Sequence, residues 1–440
     1  MASSRESAST EPLRVVTFDI LRGIAIAAMV FLHNGAFHLA DVGAVLADPP
    51  PWLILFGFLL LWAGLFGVVS GAANAATTMR RLDNVKTTGG AWTYPPALVR
   101  GAVQTFLIVF VLHWVWTIGV GNSAVTASPD DPTLRVTMMP GLMFYGFVPR
   151  VHPESWVFAS ALWMIGANVL LVSLTLRGYY RHHPPRAGDN LIPFLMATAA
   201  AVLVATPFLR ALLFPTVVAL VRDGGASIAA AVPLALLVND PNPVFPFFAY
   251  GLLGAIVGVS MARNEPRRTL YRRMLGAGLV LVLAGAAGLV VSGGVVVADR
   301  EGIWGQAPLY FSALAWLLLG IFCWLIAGLL AAFDPGPESA RTPWRPAWLR
   351  PLVRFGRLSL TVFLLEGILA MALRLGLDAL APGWNATLAP VLAFAAANLL
   401  LWHMILVAWE RVGFVGSMEW ALARIRRNED RARALNEGSR

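Results

Sequence analysis

The sequence predicts an all-α polytopic membrane protein, with about ten transmembrane helices packed in one bundle. Two observations carry this prediction. Hydrophobic residues make up 58% of the 440 residues and charged residues only 13%, and long apolar runs recur along the chain. About 20 apolar residues are needed to cross the hydrocarbon core of a bilayer. The composition and the mean hydropathy of +0.69 therefore exclude an ordinary soluble domain.

Ten runs of sufficient length occur between residues 16 and 410, which we predict to form a single transmembrane bundle. Apolar stretches at 138–148 and 227–238 are too short to span, so we predict interfacial or re-entrant segments there. The predicted spans cover residues 16–39, 52–76, 97–120, 155–176, 191–213, 243–262, 274–298, 309–332, 358–377 and 387–409.

The loops between these runs alternate in charge. Every second loop is rich in arginine, whereas the loops between them carry aspartates and few basic residues. Because basic loops stay on the cytoplasmic side, we predict a multi-pass protein of the cell inner (plasma) membrane with both termini cytoplasmic. Residues 1–15 then form a cytoplasmic tail, and 411–440 an amphipathic helix and tail. These loops account for the net charge of +9, so no nucleic-acid partner is predicted.

The first run, F-D-I-L-R-G-I-A-I-A-A-M-V-F-L-H from Phe18, carries charged side chains that are costly inside a membrane. Each costs about 2.5–3.5 kcal/mol or more. Asp19, Arg22 and His33 share one helical face, since Arg22 and His33 project within about 20° of each other. His33 is either catalytic or a structural hydrogen-bond partner of another helix. His38, at the outer end, is either catalytic or a solvated loop histidine.

Two more polar residues interrupt apolar runs. His113 lies beside Trp114 and is either catalytic or a member of an interfacial aromatic belt. Glu366, in S-L-T-V-F-L-L-E-G, either handles protons or pairs with a neighbouring arginine or histidine as helix-packing glue. With one cysteine, Cys323, and no clustered metal ligands, we predict no metal site.

The first-helix stretch resembles the transmembrane acyltransferase superfamily. Its acyltransferase-3 branch has roughly L-D-x-L-R-G-hydrophobic run-H, and Asp19, Arg22, Gly23 and His33 stand at matching positions. The matching histidine in that branch is held to be essential. The heparan-α-glucosaminide N-acetyltransferase branch opens with a similar D-x-x-R-G-I-A. There an asparagine matches His33 and the catalytic histidine comes later, with His38 the nearest equivalent.

Three further stretches resemble a bacterial subfamily of uncharacterised membrane proteins related to these enzymes. Arg100 to His113 is similar to its R-x-hydrophobic run-H third helix. F-G-R-L-S-L-T-V-F-L-L, from Phe355, is similar to its G-R-M-S-L-T-x-Y-L-L, and V-G-S-M-E-W, from Val415, to its G-P-L-E-W tail. The subfamily has glutamine or histidine after L-L, where this chain has Glu366.

The resemblance implies acyl transfer from a cytoplasmic acyl-CoA, most simply acetyl-CoA, to an extracytoplasmic sugar or glycolipid. The catalytic candidates are His33, His38, His113 and Glu366. We expect residues at the cytoplasmic side to bind the acyl-CoA donor, because arginines there suit its phosphates. The alternative is a proton-coupled solute transporter, with the intramembrane charges as a relay; the oligomeric state stays open. The donor-binding candidates are Asp19, Arg22, Arg80, Arg81 and Arg100.

The same charges predict two spatial relations. Asp19 should lie close enough to Arg22, or to another arginine at that end, to be paired, since an isolated carboxylate there would be neutralised. Arg22, His33 and His113 should face one internal cavity, because exposure of Arg22 to lipid is costly.

Overall fold

The computed structural model describes residues 15–40, 45, 61–83, 94–121, 126–127, 136–183, 189–239, 241–292, 308–335, 346–422 and 424. Within this part the chain is almost entirely helical, with one two-residue strand pair, Thr126–Ala127 with Arg150–Val151. The predicted all-α fold class is therefore confirmed. The long helices are α1 Val16–Phe37, α2 Gly64–Asp83, α3 Pro96–Trp114, α4 Ala161–His182, α5 Leu191–Asp223, α6 Val244–Ala262, α7 Arg267–Val291, α8 Pro308–Phe333, α9 Ser359–Leu380 and α10 Leu388–Glu410.

Nine helices in the described part are long and apolar enough to cross a membrane. The second predicted span, 52–76, begins outside the described residues, and α2 continues beyond it to Asp83. Helix α5 runs past its predicted end to Asp223 although it contains Pro207 and Pro215. Prolines are tolerated in membrane helices, because neighbouring groups can bond the freed carbonyls.

The two short apolar stretches form short helices instead of spans. Ser227–Val238 is a 12-residue helix that packs against α5. Met138–Pro140 is a single turn that continues as a π-helical turn to Tyr145. A further short helix, Arg350–Arg357, precedes α9. Of the predicted tails, residues 1–14 and 425–440 lie outside the described part.

Contacts between helix ends define two ends of the bundle. At the first, Arg263 after α6 pairs with Asp189 before α5 at 2.7 Å, and the backbone N–H of Thr17 in α1 donates to Asp334 after α8 at 2.8 Å. We call this the basic end, because Arg80, Arg81 and Arg100 also lie where α2 ends and α3 begins. At the opposite, far end, Asn385 donates to the backbone carbonyl of His38 at 2.9 Å.

Small residues let the central helices approach closely. In α6, a Cβ on Gly254 or Gly258 would overlap the backbone of Val68 or Ala72 in α2. In lipid, where water cannot drive helices together, such close backbone packing is a main source of association. Helices α2 and α6 therefore form a fixed centre against which α4 and α1 pack.

Helix α1 is held to the short helix Arg350–Arg357 by a reciprocal glycine contact. A Cβ on Gly23 would overlap the carbonyl of Leu352, and a Cβ on Gly356 would overlap the carbonyl of Asp19. The glycines of the D-I-L-R-G and F-G-R stretches therefore face each other's backbone. Since α9 begins directly after this short helix, at Ser359, the contact also sets where α9 starts beside α1.

Candidate functional site

The structure brings His33 of α1 against Glu366 of α9, and we call these two residues the dyad. The Nδ1 atom of His33 and the Oε1 atom of Glu366 form a hydrogen-bonded pair. The Glu366 side chain is fully buried, whereas that of His33 is 18% exposed. With Nδ1 occupied by the carboxyl group, Nε2 is the ring nitrogen left to face a substrate. The arrangement is a histidine oriented by a carboxylate, as in many acyl-transfer and proton-transfer sites.

Aromatic rings surround this pair. The His33 ring lies 5.1 Å from the ring of Phe37 and 6.3 Å from that of Trp116, between ring centroids. Trp116 is buried and also contacts Phe363 of α9, at 5.0 Å. Phe37, one turn beyond His33 towards the far end, is exposed. The pair thus lies in apolar surroundings, which strengthen its hydrogen bond, and the exposed Phe37 adjoins it on the side of the far end.

His113 lies on the buried face of α3 and of the π-helical turn that follows it, the face that also carries Trp116. Ala102, Val109, His113 and Trp116 are buried at helical spacing, and the ring of Trp116 lies near that of His33. The Nδ1 atom of His113 lies 2.7 Å from the Ser160 hydroxyl. Its Nε2 has no hydrogen-bond partner among the described residues. The hydroxyls of Ser160 and, at 3.3 Å, Thr117 therefore hold the His113 ring about one helical turn before Trp116.

Asp19 and Arg22 lie at the basic end of α1, as predicted, and form a pair. Their closest charged atoms are 3.6 Å apart, which confirms the predicted pairing. The Arg22 guanidinium also donates to the Gly356 carbonyl at 3.4 Å, and the side chain is 32% exposed. Arg22 is eleven residues before His33, hence about 16 Å along the helix. These two residues belong to a different part of the molecule from the dyad.

A groove of about 400 Å³ lies between α2, α3 and α4 at the basic end. It runs for about 16 Å, because Arg81 lies eleven positions after Ser70 along α2. Arg81 lines its basic end; Arg80 and Arg100 are exposed nearby and do not line it. The predicted cavity shared by Arg22, His33 and His113 is not this groove, since none of the three lines it. Arg22 instead faces the short helix Arg350–Arg357.

Part of the polar lining of the groove consists of side chains whose protons are already donated within the protein. The hydroxyls of Ser70, Thr77 and Thr105 donate to carbonyls of the preceding turn in their own helices. Asn74 donates from its amide nitrogen to α4 at two points, so its carbonyl oxygen is the atom that can accept a hydrogen bond from a ligand. Once the protons are engaged, these groups present lone pairs. The groove suits a linear ligand with N–H donors.

His38 is turned away from the dyad. It lies five residues after His33, so its side chain projects about 140° away around the helix. Its ring packs edge-on against Phe394 of α10 at 5.2 Å and is 3% exposed. Burial, followed by the nearby charge of Arg374, lowers the pKa of His38 to about 3. His38 is therefore a neutral, buried histidine at the far end, and the structure does not join it to His33.

Glu419 is a site-adjacent residue that the sequence analysis did not single out. Its carboxylate accepts hydrogen bonds from the backbone N–H groups of Leu360, at 2.7 Å, and Thr361, at 3.3 Å, and from the Thr361 hydroxyl. It therefore caps the start of α9, the helix that carries Glu366. The V-G-S-M-E-W stretch was the available signal, but nothing in it indicates which helix the glutamate reaches.

Arg210 is a second residue that the sequence analysis missed. It lies within α5 and is 1% exposed. Its guanidinium donates to the Val238 carbonyl at 2.5 Å and stands 3.8 Å from the centroid of the Phe311 ring. The signal that identified Arg22 and Glu366, a charge within an apolar run, applies to Arg210 as well. Its contacts join α5 to the helix Ser227–Val238 and to α8, which is a structural role.

Comparisons of this chain with protein-family models, with curated proteins and with solved structures give no match. Within the described residues, no group of three or more His, Cys, Asp or Glu side chains is placed to hold a metal ion.

Proposed function

We propose that this protein is a membrane acyltransferase. It moves an acyl group, most simply acetyl, from a cytoplasmic acyl-CoA to a hydroxyl or amine of an extracytoplasmic carbohydrate or glycolipid. The observation that carries the proposal is the pairing of His33 with the buried Glu366. A histidine held by a carboxylate is suited to act as general base in acyl transfer. The resemblance of the first helix to membrane acyltransferases supports the same reaction.

In the proposed reaction, His33 moves the proton and Glu366 orients and stabilises the imidazole. The acceptor oxygen or nitrogen attacks the thioester carbonyl carbon while Nε2 of His33 takes its proton. The tetrahedral intermediate then collapses, the carbon–sulfur bond breaks, and the leaving thiolate takes the proton from the imidazolium. Such base catalysis contributes about 10²- to 10⁴-fold. Transfer through an acyl-imidazole on His33 would use the same two residues.

The groove is our proposed donor site. CoA carries its acyl group on a linear arm with amide N–H groups, which match the acceptor lining of Ser70, Asn74, Thr77 and Thr105. Arg81 at the basic end suits a phosphate. The exposed arginines Arg80 and Arg100 add positive charge at the same end, which would attract an anionic donor.

The charge pattern of the loops supports an orientation in which the basic end faces the cytoplasm. Both termini then lie inside, in the plasma membrane, and the far end faces outwards. In that orientation the donor enters from the cytoplasm, and an acceptor reaches the exposed side of His33 past Phe37. This arrangement accounts for a donor groove and a catalytic histidine at different depths of one bundle.

A direct test is release of free thiol from acetyl-CoA by purified protein with candidate sugar or glycolipid acceptors. We expect wild type to be active and His33→Ala to lose about 10²-fold or more. His403→Ala is the matched control, a histidine of α10 outside the site, and should retain activity. Glu366→Gln should lower kcat, because the amide cannot stabilise the imidazolium as the carboxylate does.

The transporter alternative makes a different prediction from the same pair. A buried carboxylate hydrogen-bonded to histidine is also suited to carry a proton across a membrane. Wild-type protein that releases no thiol with any acceptor, but drives pH-dependent solute uptake into vesicles that Glu366→Gln abolishes, would replace acyl transfer with transport.

A further inference from the structure

Residues Met418–Leu422 form a helical turn after α10, which we call the C-terminal turn. It begins at Ser417, whose hydroxyl accepts the backbone N–H of Trp420 at 3.1 Å. Serine in this position caps a helix start. The turn lies at the basic end, where α10 finishes, and two of its side chains contact different parts of the proposed site.

Glu419 connects the turn to α9. The first N–H groups of any helix lack partners within the helix, and a negative charge there is favourable. Glu419 supplies a hydrogen-bond acceptor and a negative charge to the backbone N–H groups of Leu360 and Thr361. A reverse bond completes the joint, because the backbone N–H of Met418 donates to the Thr361 hydroxyl at 2.9 Å. The start of α9 is therefore held by a segment 58 residues away in sequence.

The position of α9 determines whether Glu366 meets His33. Glu366 follows Thr361 by five residues, about 7.5 Å along the helix. In an apolar 18-residue window of α9, 39% of the residues are buried in the bundle, so most of that window is not enclosed by other helices. A cap at its first turn is thus well placed to fix the height and rotation of Glu366.

Leu422 connects the same turn to the groove. It lies three residues after Glu419, about one helical turn, and lines the groove together with Arg81 and Leu98. A single turn of helix therefore touches both the helix that carries Glu366 and the wall of the proposed donor site.

We infer that Glu419 is a positioning residue for the His33–Glu366 pair and that Leu422 forms part of the donor site. The C-terminal turn then links donor binding to the geometry of the dyad. This inference rests on the proposed function for its effect on catalysis. The attachment of Glu419 to α9 does not depend on the proposed function and can be measured without any activity.

Four variants test the predicted effect on kinetics: Glu419→Ala, Glu419→Asp, Leu422→Ala and Glu265→Ala. Glu419→Ala should lower kcat by about 10- to 100-fold, the cost of a small misplacement of a catalytic group, and leave KM for acetyl-CoA almost unchanged. Glu419→Asp should restore part of kcat, since a carboxylate remains. Leu422→Ala should instead raise KM with little change in kcat. Glu265 is the matched control, because it is a carboxylate at the same end whose partner, Arg273, belongs to α7.

Hydrogen–deuterium exchange tests the structural half without any need for activity. The amides of residues 360–366 should exchange faster in Glu419→Ala than in wild type, and at the wild-type rate in Glu265→Ala. Unchanged exchange in Glu419→Ala, or an equal loss of kcat in Glu265→Ala, would overturn the inference. Faster exchange in a protein whose wild type releases no thiol would refute acyl transfer while leaving the hold of Glu419 on α9 established.

Discussion

At the scale of single residues, the buried Glu366 and the ring of His33 stabilise each other. Glu366 is fully buried in the apolar interior of the bundle, and His33 is its hydrogen-bond partner among the described residues. A buried polar group that loses its partner costs about 1–3 kcal/mol, and a buried charge more. The pair is therefore a structural unit as well as a chemical one.

This coupling predicts a non-additive pair of variants. His33→Ala leaves the Glu366 carboxyl group without its partner, so we expect destabilisation by about 1–3 kcal/mol. Adding Glu366→Leu removes the orphaned group and should restore part of that loss. Thermal unfolding of the detergent-solubilised single and double variants measures these changes in stability. Strictly additive losses would show that the two side chains do not stabilise each other.

His38 predicts a dependence of stability on pH. Burial lowers its pKa from 6.5 to about 3, so below pH 6.5 the unfolded chain binds a proton that the folded protein does not. The stability associated with the neutral ring is complete above pH 6.5 and is lost progressively as the pH falls towards 3. His38→Phe keeps a buried ring without the titration. The melting temperature of wild type should fall relative to that of the variant between pH 6.5 and 4, and parallel curves would contradict this.

At the scale of elements, the glycine contact between α1 and the short helix Arg350–Arg357 fixes the start of the site. A methyl group on Gly23 would meet the Leu352 carbonyl, which belongs to backbone and cannot rotate away. We therefore expect Gly23→Ala to destabilise the protein by about 1–3 kcal/mol or more, and to lower activity, since α9 follows this helix.

Gly178 in α4 provides the control for that prediction. A Cβ there meets no atom within 4 Å, so Gly178→Ala should be neutral, or stabilising by up to about 1 kcal/mol through helix propensity. Thermal unfolding of both variants compares them directly. Equal melting temperatures for Gly23→Ala and Gly178→Ala would mean that the close approach of α1 is not needed.

Hydropathy predicted most of the elements because the thickness of the bilayer sets the length of a span. It could not predict which elements meet. His33 and Glu366 are 333 residues apart, and their meeting depends on glycine contacts such as that of Gly23 with Leu352. Each of the two was nevertheless identifiable as a charge or polar group in an apolar run. The groove was not, since Ser70 and Asn74 look like ordinary helix-packing residues in sequence.

At the scale of the whole molecule, the two ends differ in chemistry. The basic end carries the groove, Arg81 and the exposed arginines. The far end carries the exposed Phe37 beside His33, and the buried His38. Acyl transfer across a membrane needs this asymmetry, because an anionic donor and a sugar acceptor approach from opposite sides. The orientation of the bundle is therefore the global property on which the proposed function depends.

Cysteine labelling of intact cells tests that orientation. The native Cys323 is buried, so labelling of the wild type should be low. Exposed positions are available at both ends, Arg181 at the end of α4 and Ala226 after α5. By the positive-inside rule, Ala226→Cys should react with a membrane-impermeant maleimide in intact cells, and Arg181→Cys only after permeabilisation. Labelling of both from the same side would contradict the bundle topology. Exchange of the two sides would keep the topology but place the groove outside, where cytoplasmic acyl-CoA could not reach it.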